Sequence, residues 1–289
     1  MPSKIKYRYK HWLSKTLMLL FLAIVLVIVL APFLWMIANS FKPTADINRF
    51  TGLGIRTFIP ENPTTIHYTT LFNNTMRLDF TVIFMNTITV GLLSVVFNFF
   101  INTLAAYAFA RIDFFGRKVL FVLVLLMLII PFDLLILTQY ILIRDFNLLD
   151  TLWAIIVPSI ANPFMIFFLR QFFLEIPKEL EDAAVIDGCG PIKVYYKIML
   201  PLVTAPVLTI LIIVFINQWN NFIWPTTVIS NLNNYVLQMA VQSIAVGQYI
   251  TDNGILYAGA VISIIPIIIL FILIQKYYIQ SIISSGIKG

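Results

Sequence analysis

Few side chains in this sequence are suited to chemistry. There is one cysteine, Cys189, which has no partner for an intrachain disulfide, and the two histidines, His11 and His67, are far apart and lack metal-ligand spacing. No G-x-x-x-x-G-K-[ST] loop is present to cradle nucleotide phosphates. No convergent nucleophile, base and acid stand out either. The expectation is a non-catalytic chain that binds no cofactor and no metal. What does stand out is one stretch, "PKELEDAAVIDGCGPIKVYYKIMLP" at 177–201, which is densely charged and bounded by proline and glycine.

The elements around that stretch are dictated by hydrophobicity. Of 289 residues, 60% are hydrophobic and 11% charged, with a mean hydropathy of +0.94, against about 25% charged in soluble domains. This composition implies a membrane protein, and its apolar runs of helical length make it all-α and multi-pass. A spanning helix needs about 20 apolar residues, and six runs qualify, at about 17–37, 83–109, 119–137, 152–172, 202–224 and 255–274. The first is too long for the apolar core of a signal peptide. Fourteen Lys and Arg fall on the side of the termini and of the loops after spans two and four, against five on the other side. Cytoplasmic loops retain basic residues, so both termini and the 177–201 loop are expected in the cytoplasm. The net charge of +6 is not gathered with groove-reading motifs, so nucleic acid is not an expected partner.

Within the loop, Pro177 suits a first helical position, Glu179, Glu181 and Asp182 complement the helix start, and Gly188 suits its end. Leu180, Ala183, Ala184 and Asp187 then share one narrow face. Pro191 opens a second helix on which Ile192, Tyr195, Tyr196 and Met199 repeat the spacing, and Pro201 marks entry to span five. Two short helices in an elbow suit a surface that docks into a partner's groove. A loop lying along the membrane would also be amphipathic.

"EDAAVIDG" followed by "IMLP" resembles the EAA signature of importer-type ABC permeases, with Asp182 where that family usually has Glu. "APFLWMIANSFKP", "AAYAFARIDFFGRK", "FLRQFF" and the terminal "SSGIKG" are similar to its carbohydrate-uptake subfamily, on the side of the shorter permease of maltose-type importers. The resemblance implies a type I importer fold, with residues 1–79 as an N-terminal addition, 80–280 as the permease core and 281–289 as a cytoplasmic tail. It also implies coupling to an ATPase through Glu181, Asp182, Ala183, Ala184, Asp187, Gly188, Leu200 and Pro201, and a tail contact through Gly286, Lys288 and Gly289. The implied partners are a second permease subunit in a heterodimer, two ATPase subunits that use ATP and Mg, and an extracytoplasmic solute-binding protein. That protein is expected near the uncharged stretch 225–250. The stretch 41–78, with Pro43, Pro60 and Pro63, reads as irregular.

Polar residues inside spans are costly and face bundle interiors. Asn86, Asn102, Asp133, Asn162 and Asn220 are candidates for a solute path, although amides equally serve as packing hydrogen bonds. Transport of a peptide or other solute by the same kind of permease is one alternative. An ion-coupled secondary transporter is another, with Asp133 as its one suggestive residue.

Overall fold

Proline, glycine and short polar caps decide where the apolar runs of this chain become helices and where those helices break. The computed structural model describes residues 2–49, 54–73, 77–247 and 252–286. Among the described residues every regular element is helical. The chain divides into two compact units, one of residues 1–76 with 243–264 and one of 77–242 with 265–289.

In the first unit, α1 (Pro2–Ser40) is followed by three short helices, α2 (Thr44–Arg49), α3 (Ile55–Phe58) and α4 (Ile66–Phe72). The stretch expected to be irregular therefore holds three short helices joined by irregular segments, and buried polar groups hold it together. Lys42 is 2% exposed. Its ammonium donates to Asn39 Oδ1 at 3.1 Å and to the Thr57 carbonyl at 2.7 Å. Burial holds it below the usual lysine range, an effect that the nearby Asp46 carboxylate opposes. Buried His67 donates from Nε2 to the Lys42 carbonyl at 2.7 Å. Asp252 accepts from Thr44 Oγ1 at 2.8 Å and from the Gly254 amide at 2.7 Å. A Cβ at Gly254 would lie 2.2 Å from the His67 ring, so only glycine permits this approach. Sequence spacing cannot reveal such a node, because its members lie up to 208 residues apart.

The second unit is built on α5 (Phe80–Arg111), whose start is capped by Asp79 accepting from the Thr81 and Val82 amides at 3.1 Å each. Next come α6 (Arg117–Ile129) and α7 (Phe132–Asp145), the short α8 (Leu152–Ile156), and α9 (Pro163–Glu175). The elbow contains α10 (Lys178–Ile186), α11 (Pro191–Val194), a π-helical turn at Tyr195–Met199 and α12 (Leu200–Leu202). It leads to α13 (Thr204–Trp219), α14 (Ile223–Val228), α15 (Leu237–Ala245) and α16 (Asn253–Gly286). Both α9 and α13 pack along α5.

Four helical stretches, Lys15–Ser40, Phe80–Arg111, Leu152–Glu175 and Asn253–Leu273, are long and apolar enough to cross a membrane. Two further candidates are bent pairs, which raises the number to six if each pair is one crossing. The run expected as span three is broken between α6 and α7 by 110°. Pro131 cannot donate a helical hydrogen bond and forces Ile130 into extended backbone. The run expected as span five starts after an 82° bend at Val203 and ends at Trp219, five residues short of its expected limit.

The fourth run is interrupted at Val157–Asn162, where Pro158 and Pro163 remove amides from the ladder. Carbonyls freed in an apolar bundle cost several kcal/mol each unless bonded. Two fully buried amides of α5 supply the donors. Asn98 Nδ2 bonds the Ser159 carbonyl at 2.9 Å, and Asn102 Nδ2 bonds the Ile160 carbonyl at 2.8 Å.

Candidate functional site

The segment 177–201 folds as an elbow whose corner is a C-terminal cap. Pro177 lies at the N-cap, so the first helix starts at Lys178, one residue later than its proline suggests. Asp187 closes it, and Gly188 follows at φ +76°. The Gly188 amide donates to Val185 O and the Cys189 amide to Ala184 O, both at 2.9 Å. This pair of bonds is a Schellman motif, which satisfies two orphan carbonyls and requires a left-handed residue at its centre. Gly190 then leads into α11, with Pro191 at its first turn.

The face expected to carry Leu180, Ala183, Ala184 and Asp187 together is divided by the structure. Ala184 is 5% exposed and packs in a core with Phe173, Val194, Tyr195 and Met199. Leu180, Asp182, Ala183, Asp187 and Gly188 are exposed, and Glu181 is half-buried. The second face divides in the same way, with Tyr195 and Met199 buried and Ile192 and Tyr196 exposed. Leu200 is half-buried and Pro201 exposed. The outward surface of the elbow thus presents Leu180, Val185, Ile186, Ile192 and Tyr196 among exposed charges that include Asp182, Asp187, Lys193 and Lys197.

What holds the elbow is an arginine that sequence reasoning did not assign to it. Arg111 ends α5, and its guanidinium donates to the Phe173 carbonyl through Nε at 3.0 Å and Nη2 at 2.6 Å, and also to the Ile176 carbonyl. Its Nη1 lies 3.6 Å from Glu181 Oε2. Arg170 of α9 returns the arrangement, donating to the Phe109 carbonyl near the end of α5 at 3.1 Å and lying over the Phe121 ring. Each helix end is therefore neutralised by a cation from its neighbour, as its dipole favours. In the sequence Arg111 is one basic residue among several, and the only available signal was its position four residues after Tyr107.

The candidate path residues are not gathered in one place. The Asn162 amide donates to Asn102 Oδ1 at 2.9 Å, while Asn162 Oδ1 caps α9 through the Met165 amide at 3.0 Å. Asn86 donates to the Asn233 and Tyr235 carbonyls at 2.7 and 3.0 Å, tying down the stretch before α15. Asn220 ends α13 and is exposed, and Asp133 is exposed in the first turn of α7. For Asn102 and Asn162, packing accounts for the amides. Of the tail residues, Gly286 ends α16, and Lys288 and Gly289 lie outside the described residues. Among the described residues no group of three or more His, Cys, Asp or Glu is placed to hold a metal ion.

Apolar helices long enough to cross a membrane, with a two-helix elbow packed against their bundle, fit the class of transport-system membrane components. The chain belongs to the binding-protein-dependent transport system inner membrane components, whose pattern matches residues 102–284, and within them to the sugar-uptake permeases of ABC importers. It is 35% identical to the arabinooligosaccharides transport system permease protein AraQ of Halalkalibacterium halodurans, over 92% of this chain and 94% of that one. It is 33% identical to the probable ABC transporter permease protein YurM of Bacillus subtilis, over 99% and 93%. With the trehalose transport system permease protein SugB of Mycobacterium tuberculosis the identity is 30%, over 90% and 93%. Its fold matches a chain of a bacterial ABC transporter involved in the import of alginate, with a TM-score of 0.79 at 22% identity over 92% and 96% of the two chains.

Proposed function

We propose that this permease moves a carbohydrate across the cytoplasmic membrane by alternating access, driven by an ATPase that docks on the 177–201 elbow. The observation that carries the reading is the elbow's two-sided construction. Its inner face is built into the bundle through Ala184, Tyr195 and Met199, while Leu180, Val185, Ile186, Ile192 and Tyr196 face outward. A surface of this kind transmits force, because displacement of the outer face must move the helices to which the inner face is packed. With no phosphate loop in the chain, ATP and Mg belong to the partner. A second permease chain, an ATPase pair and an extracytoplasmic solute-binding protein complete the importer. A bacterial alginate ABC transporter bound to its periplasmic protein, matched at a TM-score of 0.63 and 14% identity, has the same fold.

The assignment of both termini and the elbow to the cytoplasm rests on the distribution of basic residues. Reporter fusions after Lys118, after Leu200 and at the C-terminus are expected to report cytoplasm, and fusions near Arg56 and Asn233 the opposite side. One inverted reporter in a stably inserted fusion would overturn this topology. Purification of the tagged chain from its native membrane tests the partners, since an ATPase and a second permease are expected to come with it.

A further inference from the structure

α5 has 32 residues, about 48 Å at 1.5 Å per residue, against about 30 Å of hydrocarbon. Its final turns are therefore longer than a crossing requires. Thr103, Tyr107 and Arg111 recur there every four residues, on one face of the helix. Each meets a different part of the elbow. Thr103 Oγ1 bonds the Phe99 carbonyl, which leaves it to accept from Tyr195 Oη at 2.7 Å in the π-helical turn. Tyr107 Oη donates to the Pro191 carbonyl at 3.3 Å, and its ring lies 5.3 Å from that of Tyr195 and 5.8 Å from that of Phe173. Arg111 holds Glu181 of α10 and the carbonyls that end α9.

Resting on the coupling role proposed above, we infer that these three residues are positioning residues that make the second span move as one body with the elbow. The chain itself joins the elbow only to α9 and α13. Without the three rungs the elbow itself would meet α5 through apolar contact alone, which resists sliding weakly, and the remaining polar tie to α5 would run through α9, where Arg170 bonds the Phe109 carbonyl. Hydrogen bonds at the π-helical turn and at the start of α11, with an ion pair on α10, fix the elbow against both translation and rotation. A π-helical turn suits this task, since such turns occur where a helix is reshaped for a function. Here it sits where the Tyr195 hydroxyl meets Thr103.

The test uses the complex copurified from native membranes, with Cys189→Ser and spin labels at Lys193 and Leu104, both exposed. The distance between them is measured without nucleotide and with ATP plus vanadate. It is expected to stay the same in the otherwise unaltered protein. Thr103→Val, and Thr103→Val with Tyr107→Phe, are expected to retain the ATPase in the complex and to broaden the distance on adding nucleotide. The population in the native distance should fall by about fivefold for each rung removed, as for one hydrogen bond of ordinary net strength. Thr103→Ser, which keeps the hydroxyl, should restore it. A nucleotide-driven change in the unaltered complex, or variants with an unchanged distance, would overturn the inference. Failure of any ATPase to copurify would instead remove the coupling role and this inference with it.

Discussion

Glutamate at Ala183 is expected to separate the permease from its ATPase while leaving the chain folded, whereas glutamate at Ala184 is expected to damage the chain itself. The two residues are neighbours in the EAA motif but lie on different faces of α10. Ala183 is exposed, and Ala184 is 5% exposed within a core that includes Phe173, Val194 and Met199. A carboxylate at 184 would be buried beside apolar side chains. Arg111, whose guanidinium reaches this helix at Glu181, already holds two carbonyls besides. Breaking or burying a charge without a partner costs about 3–5 kcal/mol, a large part of the stability of a typical domain. Ala184→Glu should therefore lower membrane yield and the unfolding temperature of the purified chain. Ala183→Glu adds bulk and charge only to the outward surface, so yield and melting should stay normal while the ATPase is lost from the purified complex. Lys193→Ala, on an exposed lysine, is the control and should change neither. Equal behaviour of the two glutamates would refute the two-faced elbow.

Much of this molecule is legible in the sequence, and the parts that are not share a physical cause. Apolar runs locate the membrane helices because burying backbone in lipid leaves helices as nearly the only solution for such a chain. Gly188 as the end of α10 is legible because few residues adopt a positive φ. The 110° break at Pro131 is only half legible: proline announces a kink, but its angle is set by the packing of α6 and α7. The division of the elbow's two faces is not legible at all. A nine-residue helix with small residues on several sides has no strong periodicity, so Ala183 and Ala184 look equivalent until the core beneath α10 is seen. Asn98 and Asn102 read as polar residues in a span, where Asn102 is a candidate for solute and packing is the other reading. Their role depends on prolines about sixty residues away that free the carbonyls they bond. Arg111 and Glu181 are likewise joined only by the fold.

Gly188→Val is expected to abolish ATP-driven uptake, and a graded series at this position separates two reasons why. The residue lies at φ +76° and nothing lies within 4 Å of a Cβ built on it, so crowding inside the chain is not the obstacle. The obstacle is the sign of φ. An L-residue there costs about 1–2 kcal/mol, a factor of about 5–30 in the population of the capped state, and β-branching makes valine the least suited. Losing the cap frees the Val185 and Ala184 carbonyls and lets α10 lengthen or swing, which moves the whole outward face. Asparagine tolerates the left-handed region better than other side chains. If the cap alone matters, uptake should fall in the order Gly, Asn, Ala, Val, with Asn retaining most activity and Val almost none, at equal membrane levels. If instead the partner's groove presses on this corner, size decides, and Asn should fail as completely as Val. Full uptake in all three variants would show that the turn at Gly188 neither shapes the elbow nor meets the ATPase.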